Sequence, residues 1–121
     1  MTQEQRELLL KDLCGRLPYG VKMNHVADTE NNPITLVGVA KTMITLENLA
    51  GYGTSDIEDY IPYLFPLSSM TPEQRTSYNF LSNSGHRSFT GLIDFYHKNH
   101  LDWRGLIPKG LALDATNKNI Y

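Results

Sequence analysis

One cysteine, one tryptophan and no long apolar run mark this chain of 121 residues. The lone Cys14 excludes an intrachain disulfide and the paired-cysteine patterns of zinc and redox motifs, and it favours a reducing compartment. The longest apolar stretches, 34–40 and 92–96, fall far short of the roughly 20 residues that a membrane-spanning helix requires. The opening residues are polar and mixed in charge, without the basic start and apolar stretch of a secretory signal. A cytoplasmic protein with no membrane contact is the expectation. Also missing are a GxSxG elbow, a Walker loop and paired catalytic carboxylates, which counts against an enzyme. Gly51-Tyr52-Gly53 lacks the Lys-Ser/Thr that completes a phosphate loop, and it does not fit GxGxxG.

Strong charge of one sign is absent too. The net charge is −2, with residues 1–60 at −4 and residues 61–121 at +2. That mild basic bias is not the dense stripe that phosphate-driven affinity needs, and it reads as a solvated surface. Nucleic-acid binding would require Arg75, Arg87, Lys98, Arg104 and Lys109 on one face. The length fits one domain with a real core, spanning residues 1–121.

Helix and strand signals are present in number. Thr2-Gln3-Glu4-Gln5 is a capping box, and it predicts a helix over 3–14 with Leu9, Leu10, Leu13 and Leu17 as its stripe. Gly15 and Pro18 supply the stop, and Cys14 beside the stripe is expected to be a small buried hydrophobe. Val21, Met23 and His25 alternate with polar residues as in a half-buried strand. After a turn-rich connection at 28–33, segments 34–40 and 42–46 read as two further strands, or one strand bent at Gly38. Residues 49–54 read as a loop, and Ser55-Asp56-Ile57-Glu58 as the start of a short helical turn. Pro62 and Pro66 bracket Tyr63-Leu64-Phe65 and argue against an interior strand there. Thr71-Pro72-Glu73-Gln74 opens a helix running to about Leu81, ended by Asn83-Ser84-Gly85. A last helix over 87–98 would bury Phe89, Leu92, Ile93 and Tyr96. Gly105, Pro108 and Gly110 then predict short turns, and 117–121 a tail.

Reactive side chains concentrate between Gly85 and Asp114: His86, His97, His100, Asp94, Asp102, Trp103 and Arg104. Asp94, His97 and His100 stand at i, i+3 and i+6, only loosely like helical metal pairs. With Asp102 they could serve a metal-dependent hydrolase or nuclease. The plainer reading packs His100 at the helix end and leaves Asp94 solvated. His86-Arg87 at a helix start fits either a bound anion or simple exposure. Asp102-Trp103-Arg104 reads as a contact platform or as an Asp–Arg clamp with Trp103 in the core. The chain has seven tyrosines, and Tyr52 and Tyr63 with Trp103 and Arg104 form the candidate interaction surface.

Residues 63–71 (Tyr-Leu-Phe-Pro-Leu-Ser-Ser-Met-Thr) and 99–113, with the opening Leu-Leu-Leu-Lys-Asp-Leu-Cys and Leu17-Pro18-Tyr19-Gly20-Val21, resemble an uncharacterised group of short proteins from gut Bacteroidota, often in prophage-like or mobile regions. Residues 28–53 lie outside the resemblance. It implies an accessory, phage-associated context and no residue roles. The reading is one α+β domain: an N-terminal helix, a small antiparallel sheet of about three strands as a meander or partial barrel, two C-terminal helices and a turn-rich end. Its expected function is that of a small non-enzymatic protein-binding accessory module, with a protein partner or self-association and no cofactor. The metal-dependent hydrolase and the weak nucleic-acid binder are the alternatives.

Overall fold

The computed structural model describes residues 1–83 and 89–121, the side chains of Phe89 and Thr90 excepted. Helix α1 (Gln3–Arg16) starts at the expected box: Thr2 Oγ1 accepts from Gln5 N–H at 3.1 Å, and Gln5 Oε1 accepts from Thr2 N–H at 2.8 Å. It runs through Gly15, two residues beyond the predicted end. A 3₁₀ turn (Leu17–Tyr19) and Gly20, at φ 67°, then reverse the chain.

Strands β1 (Lys22–His25), β2 (Ile34–Val39), β3 (Met43–Asn48), β4 (Gly51–Asp56), β5 (Tyr60–Leu64) and β6 (Leu113–Asp114) make one six-stranded sheet of order β4-β3-β2-β1-β5-β6. Neighbours are antiparallel except β5 and β6, which are parallel. Helix α2 (Pro72–Ser82) carries the expected Thr71 capping box and Pro72 in its first turn, and α3 (Phe89–Lys98) follows. The α+β class holds, but the sheet has twice the strands the sequence suggested.

Three segments account for the difference. Residues 51–54, read as a loop, and 55–56, read as the start of a helical turn, form β4 in a tight hairpin with β3. The helical turn follows at Ile57–Asp59, with Asp56 rather than Ser55 as its cap. Asn48 Oδ1 accepts from Ala50 N–H at 2.8 Å, and Gly51 takes φ 125°, so the glycine that suggested a loop instead closes the turn. Pro62 lies within β5, between β1 and β6, contrary to the proline argument. It is tolerated because β6 reaches only Tyr63 and Leu64, so beside Pro62 the ladder on that side is open. Residues 113–114, hidden in the turn-rich end, supply β6. In 34–46 the two-strand reading is the right one: β2 and β3 are separate, with an irregularity between Leu36 and Gly38.

Strands β4 and β5 are four positions apart in the sheet, yet only a 3₁₀ turn (Ile57–Asp59) joins them. A flat sheet would separate them by about 19 Å at roughly 4.8 Å per strand, whereas the residues from Asp56 to Tyr60 span at most about 14 Å. The sheet must therefore curl into a partial barrel. Its hollow is filled by Leu9 and Leu13 of α1 with Val21, Met23, Leu36, Ile44, Leu46, Ile57, Leu64, Leu106, Leu111 and Ala112. Replacing Leu46, 2% exposed, by alanine is expected to lower unfolding stability by about 2–5 kcal/mol in urea titration. A loss below half a kcal/mol would show that this wall of the barrel is not packed.

Candidate functional site

The buried face of α1 is Leu9, Asp12, Leu13 and Arg16, an i, i+3, i+4, i+7 set that includes two ions. Asp12 and Arg16 are both fully buried, and Arg16 Nε donates to Asp12 Oδ2 at 2.6 Å. Arg16 Nη2 donates to the Leu101 carbonyl at 2.7 Å. A second guanidinium, that of Arg104, lies 3.3 Å from Asp12 Oδ1 and stacks 4.2 Å over the Trp103 ring. Cys14, one step off this face, is exposed rather than buried, because the ion pair occupies the place the apolar stripe was given.

His97 is 5% exposed and lies so close to α1 that a Cβ on Gly15 would stand 2.5 Å from its Cε1. Trp103 Nε1–H donates to His97 Nε2 at 3.1 Å, which assigns the imidazole as neutral with its proton on Nδ1. Burial holds His97 below the usual histidine range, with Arg16 and Arg104 acting in the same direction and Asp12 and Asp94 opposing. His100 sits at φ 57° at the end of α3 and stacks on Tyr121, ring centroids 3.7 Å apart. Burial, aided by Arg16 and Lys22, brings its pKa down to about 4.

Residues 117–121, read as a tail, are anchored through Tyr121. Its hydroxyl donates to the Tyr63 carbonyl at 2.7 Å and accepts from Lys22 N–H at 2.9 Å. Burial pushes that hydroxyl far above the usual tyrosine range. The Asp102 carboxylate accepts from the N–H groups of Leu106 (2.7 Å) and Ile107 (2.9 Å), so it folds its own turn. A clamp therefore exists, but Arg104 closes it on Asp12 and not on Asp102.

Asp94 is exposed and lines an open groove of about 770 Å³ between α2 and α3, with Glu73, Phe95 and Lys98. The structure does not bring Asp94, His97 and His100 together: among the described residues no three His, Cys, Asp or Glu side chains form a set for a metal ion. His86 and Arg87 lie outside the described residues. Arg104, one of the five basic residues of the nucleic-acid reading, is held by Asp12 and Trp103. No helix among the described residues is long and apolar enough to cross a membrane.

The four residues of the candidate interaction surface separate. Tyr63 is fully buried, its hydroxyl donating to Asn31 Oδ1 at 3.0 Å. Trp103 is half-buried between the Tyr96 ring, stacked at 12°, and the Arg104 guanidinium. Only Tyr52, 74% exposed, presents itself to solvent. Beside it at the β3–β4 turn stands Leu49, wholly exposed. Sequence reasoning missed Leu49 because the stretch carried no strand pattern, and missed Asp12 and Arg16 because an i, i+4 ion pair looks solvated. The chain matches no protein-family model, no curated protein and no solved structure.

Asp12→Ala should cost about 3–5 kcal/mol in urea unfolding, since it leaves Arg16 buried and unpaired. The double variant Asp12→Leu/Arg16→Met is expected to recover most of that loss, and equal losses in both would refute ionic desolvation as the cause. Acid supplies a second test. The unfolded His100 takes up a proton below pH 6.5, whereas the folded one does so near 4. Its contribution is thus complete above pH 6.5 and lost as pH falls towards 4, at about 1.4 kcal/mol per pH unit. His97 adds in the same sense. His100→Asn, whose side chain tolerates the left-handed backbone, should flatten this slope between pH 6.5 and 4. An unchanged slope would place the acid sensitivity elsewhere.

Proposed function

We propose that this chain is a protein-binding module with no catalytic role of its own, docking through the β3–β4 hairpin and the outer edge of β4. The observation that carries the reading is the pairing of a wholly exposed Leu49 with a 74% exposed Tyr52 on an end strand of the sheet. Large apolar and aromatic side chains standing in water on one structural unit are typical of contact surfaces. The C-terminal cluster argues in the same direction by default. His97 Nε2 is occupied by the Trp103 indole, Asp102 by backbone N–H groups, and Asp12 by two guanidiniums, so none of these is poised for proton transfer to a substrate. The resemblance to prophage-associated proteins adds a cytoplasmic, accessory setting to the proposal.

A photo-crosslinking residue such as benzoylphenylalanine tests the surface directly. Placed at position 52 in producing cells, it is expected to yield a discrete adduct of higher mass, whereas placement at the exposed Lys11 of α1 should yield none. Equal labelling from both positions, or none from position 52, overturns the proposal.

A further inference from the structure

Strand β4 folds back on β3 through the two-residue turn Leu49-Ala50, with Asn48 opposite Gly51. In such a hairpin the closing pair exchanges backbone hydrogen bonds, and bonded and non-bonded pairs alternate from there. Gly51, Gly53 and Ser55 therefore turn their N–H and C=O groups to β3, while Tyr52, Thr54 and Asp56 turn theirs to the free edge. β3 is the only strand beside β4, and no backbone bond from residues 51–56 to anything else is found among the described residues. Side chains divide in the same way. Gly53 and Ser55 lie opposite the buried Leu46 and Ile44 and so face the core, whereas Tyr52 and Thr54 lie on the outer face.

The two ends of the sheet are treated differently. β6 is two residues long, and its Asp114 carboxylate is turned onto Thr116. β4 is six residues long, with no proline or lysine, and residues 48–55 carry no charge. An unguarded edge of this length is a template for another strand.

We propose that β4 pairs antiparallel with β4 of a second copy of this chain, about a twofold axis at Thr54. This rests on the hairpin being a docking surface, and it names the occupant. The register sets Thr54 opposite Thr54, and Tyr52 of each copy opposite Asp56 of the other. It is the register in which every outward N–H and C=O of residues 52, 54 and 56 finds a partner. Threonine pairs are favourable across strands, and here one sits on the axis. The two Asp56 carboxylates fall at opposite ends of the paired segment, each beside a tyrosine rather than each other. Asp56 is also steadied at home by the Glu58 N–H at 2.9 Å and by Arg6 at 3.8 Å. The uncharged stretch offers a charged foreign strand nothing to select, but it lets an identical strand approach without repulsion.

Disulfide trapping reads the register. In a Cys14→Ser background, Thr54→Cys is expected to form a disulfide-linked dimer on mild oxidation, since directly opposed bonded residues stand about 5.5 Å apart between Cα atoms, within disulfide reach. Tyr52→Cys alone and Asp56→Cys alone should not crosslink, while a mixture of the two should. The unmodified chain should sediment at twice its mass, and Thr54→Pro, which removes an outward N–H and no donor to β3, should halve that while circular dichroism stays unchanged. A Thr54→Cys chain that stays monomeric, or three single variants that crosslink equally, overturns self-pairing. If the probe at position 52 then captures a different chain, the docking reading survives with a foreign strand as occupant. If it captures nothing, both fail.

Discussion

The Asp12 carboxylate sits between the Arg16 and Arg104 guanidiniums, beneath the packed surface of α1. Removing such ions from water costs several kcal/mol each, and only close, well-directed partners offset it. The partners come from opposite ends of the chain: Arg16 from the same helix, Arg104 and the Leu101 carbonyl from the segment after α3. Sliding α1 by one turn would keep the Asp12–Arg16 pair but carry it, still buried, away from the Leu101 carbonyl and from Arg104. An apolar seam would tolerate such a slip at a modest cost, so the ion cluster fixes register where hydrophobic packing alone would be permissive. His97 completes the fit from α3, because only a glycine at position 15 leaves room for its ring.

That cluster also explains why the side chains with the most chemical promise are quiet. Trp103 is sandwiched by Tyr96 and the Arg104 guanidinium, and its indole N–H holds the His97 imidazole in a neutral form. His100 lies against Tyr121, whose hydroxyl bonds to β5 and to Lys22. Of the residues a catalytic reading would use, His97, His100 and Asp102 are engaged or enclosed, and Asp94 stands apart from them in the groove between α2 and α3. Density of reactive residue types in sequence is therefore a poor guide here, because the same residues are well suited to close a small fold that has no disulfide.

The parts of the structure legible in sequence are those set by local rules. Both Thr capping boxes form as read, because a cap is decided within four residues. The alternation at 22–25 and the β-branched run at 34–39 become strands for the same reason. What was illegible depends on distant partners. β6 is a strand only because Tyr63 and Leu64 lie beside it, and Pro62 is permitted in β5 only because β6 is short. β4 reads Gly-Tyr-Gly-Thr-Ser-Asp, which no local rule favours as a strand, and it is held by pairing with β3 along its whole length. Of the candidate residues, Tyr52 is exposed as an interaction surface requires, whereas Tyr63 is in the core. Burial of a tyrosine is settled by tertiary packing and leaves no periodic trace.

Clamp and edge are linked through β5. The curl of the sheet carries β4 around towards β5, and in a closed barrel those two strands would pair and leave no edge. Here β5 already has β1 on one side, and on its other side residues 63–65 are taken by the C-terminal segment. Phe65 bridges to Leu101, Asp102 N–H donates to the Phe65 carbonyl at 2.8 Å, and Ala115 N–H donates to the Leu64 carbonyl at 2.8 Å. Arg16 holds that same segment in place through the Leu101 carbonyl. The buried ions on α1 thus secure the segment that bridges to Phe65, and with residues 63–65 occupied, β4 is left with an open row of donors and acceptors. A free edge on this fold is a consequence of how its core is closed.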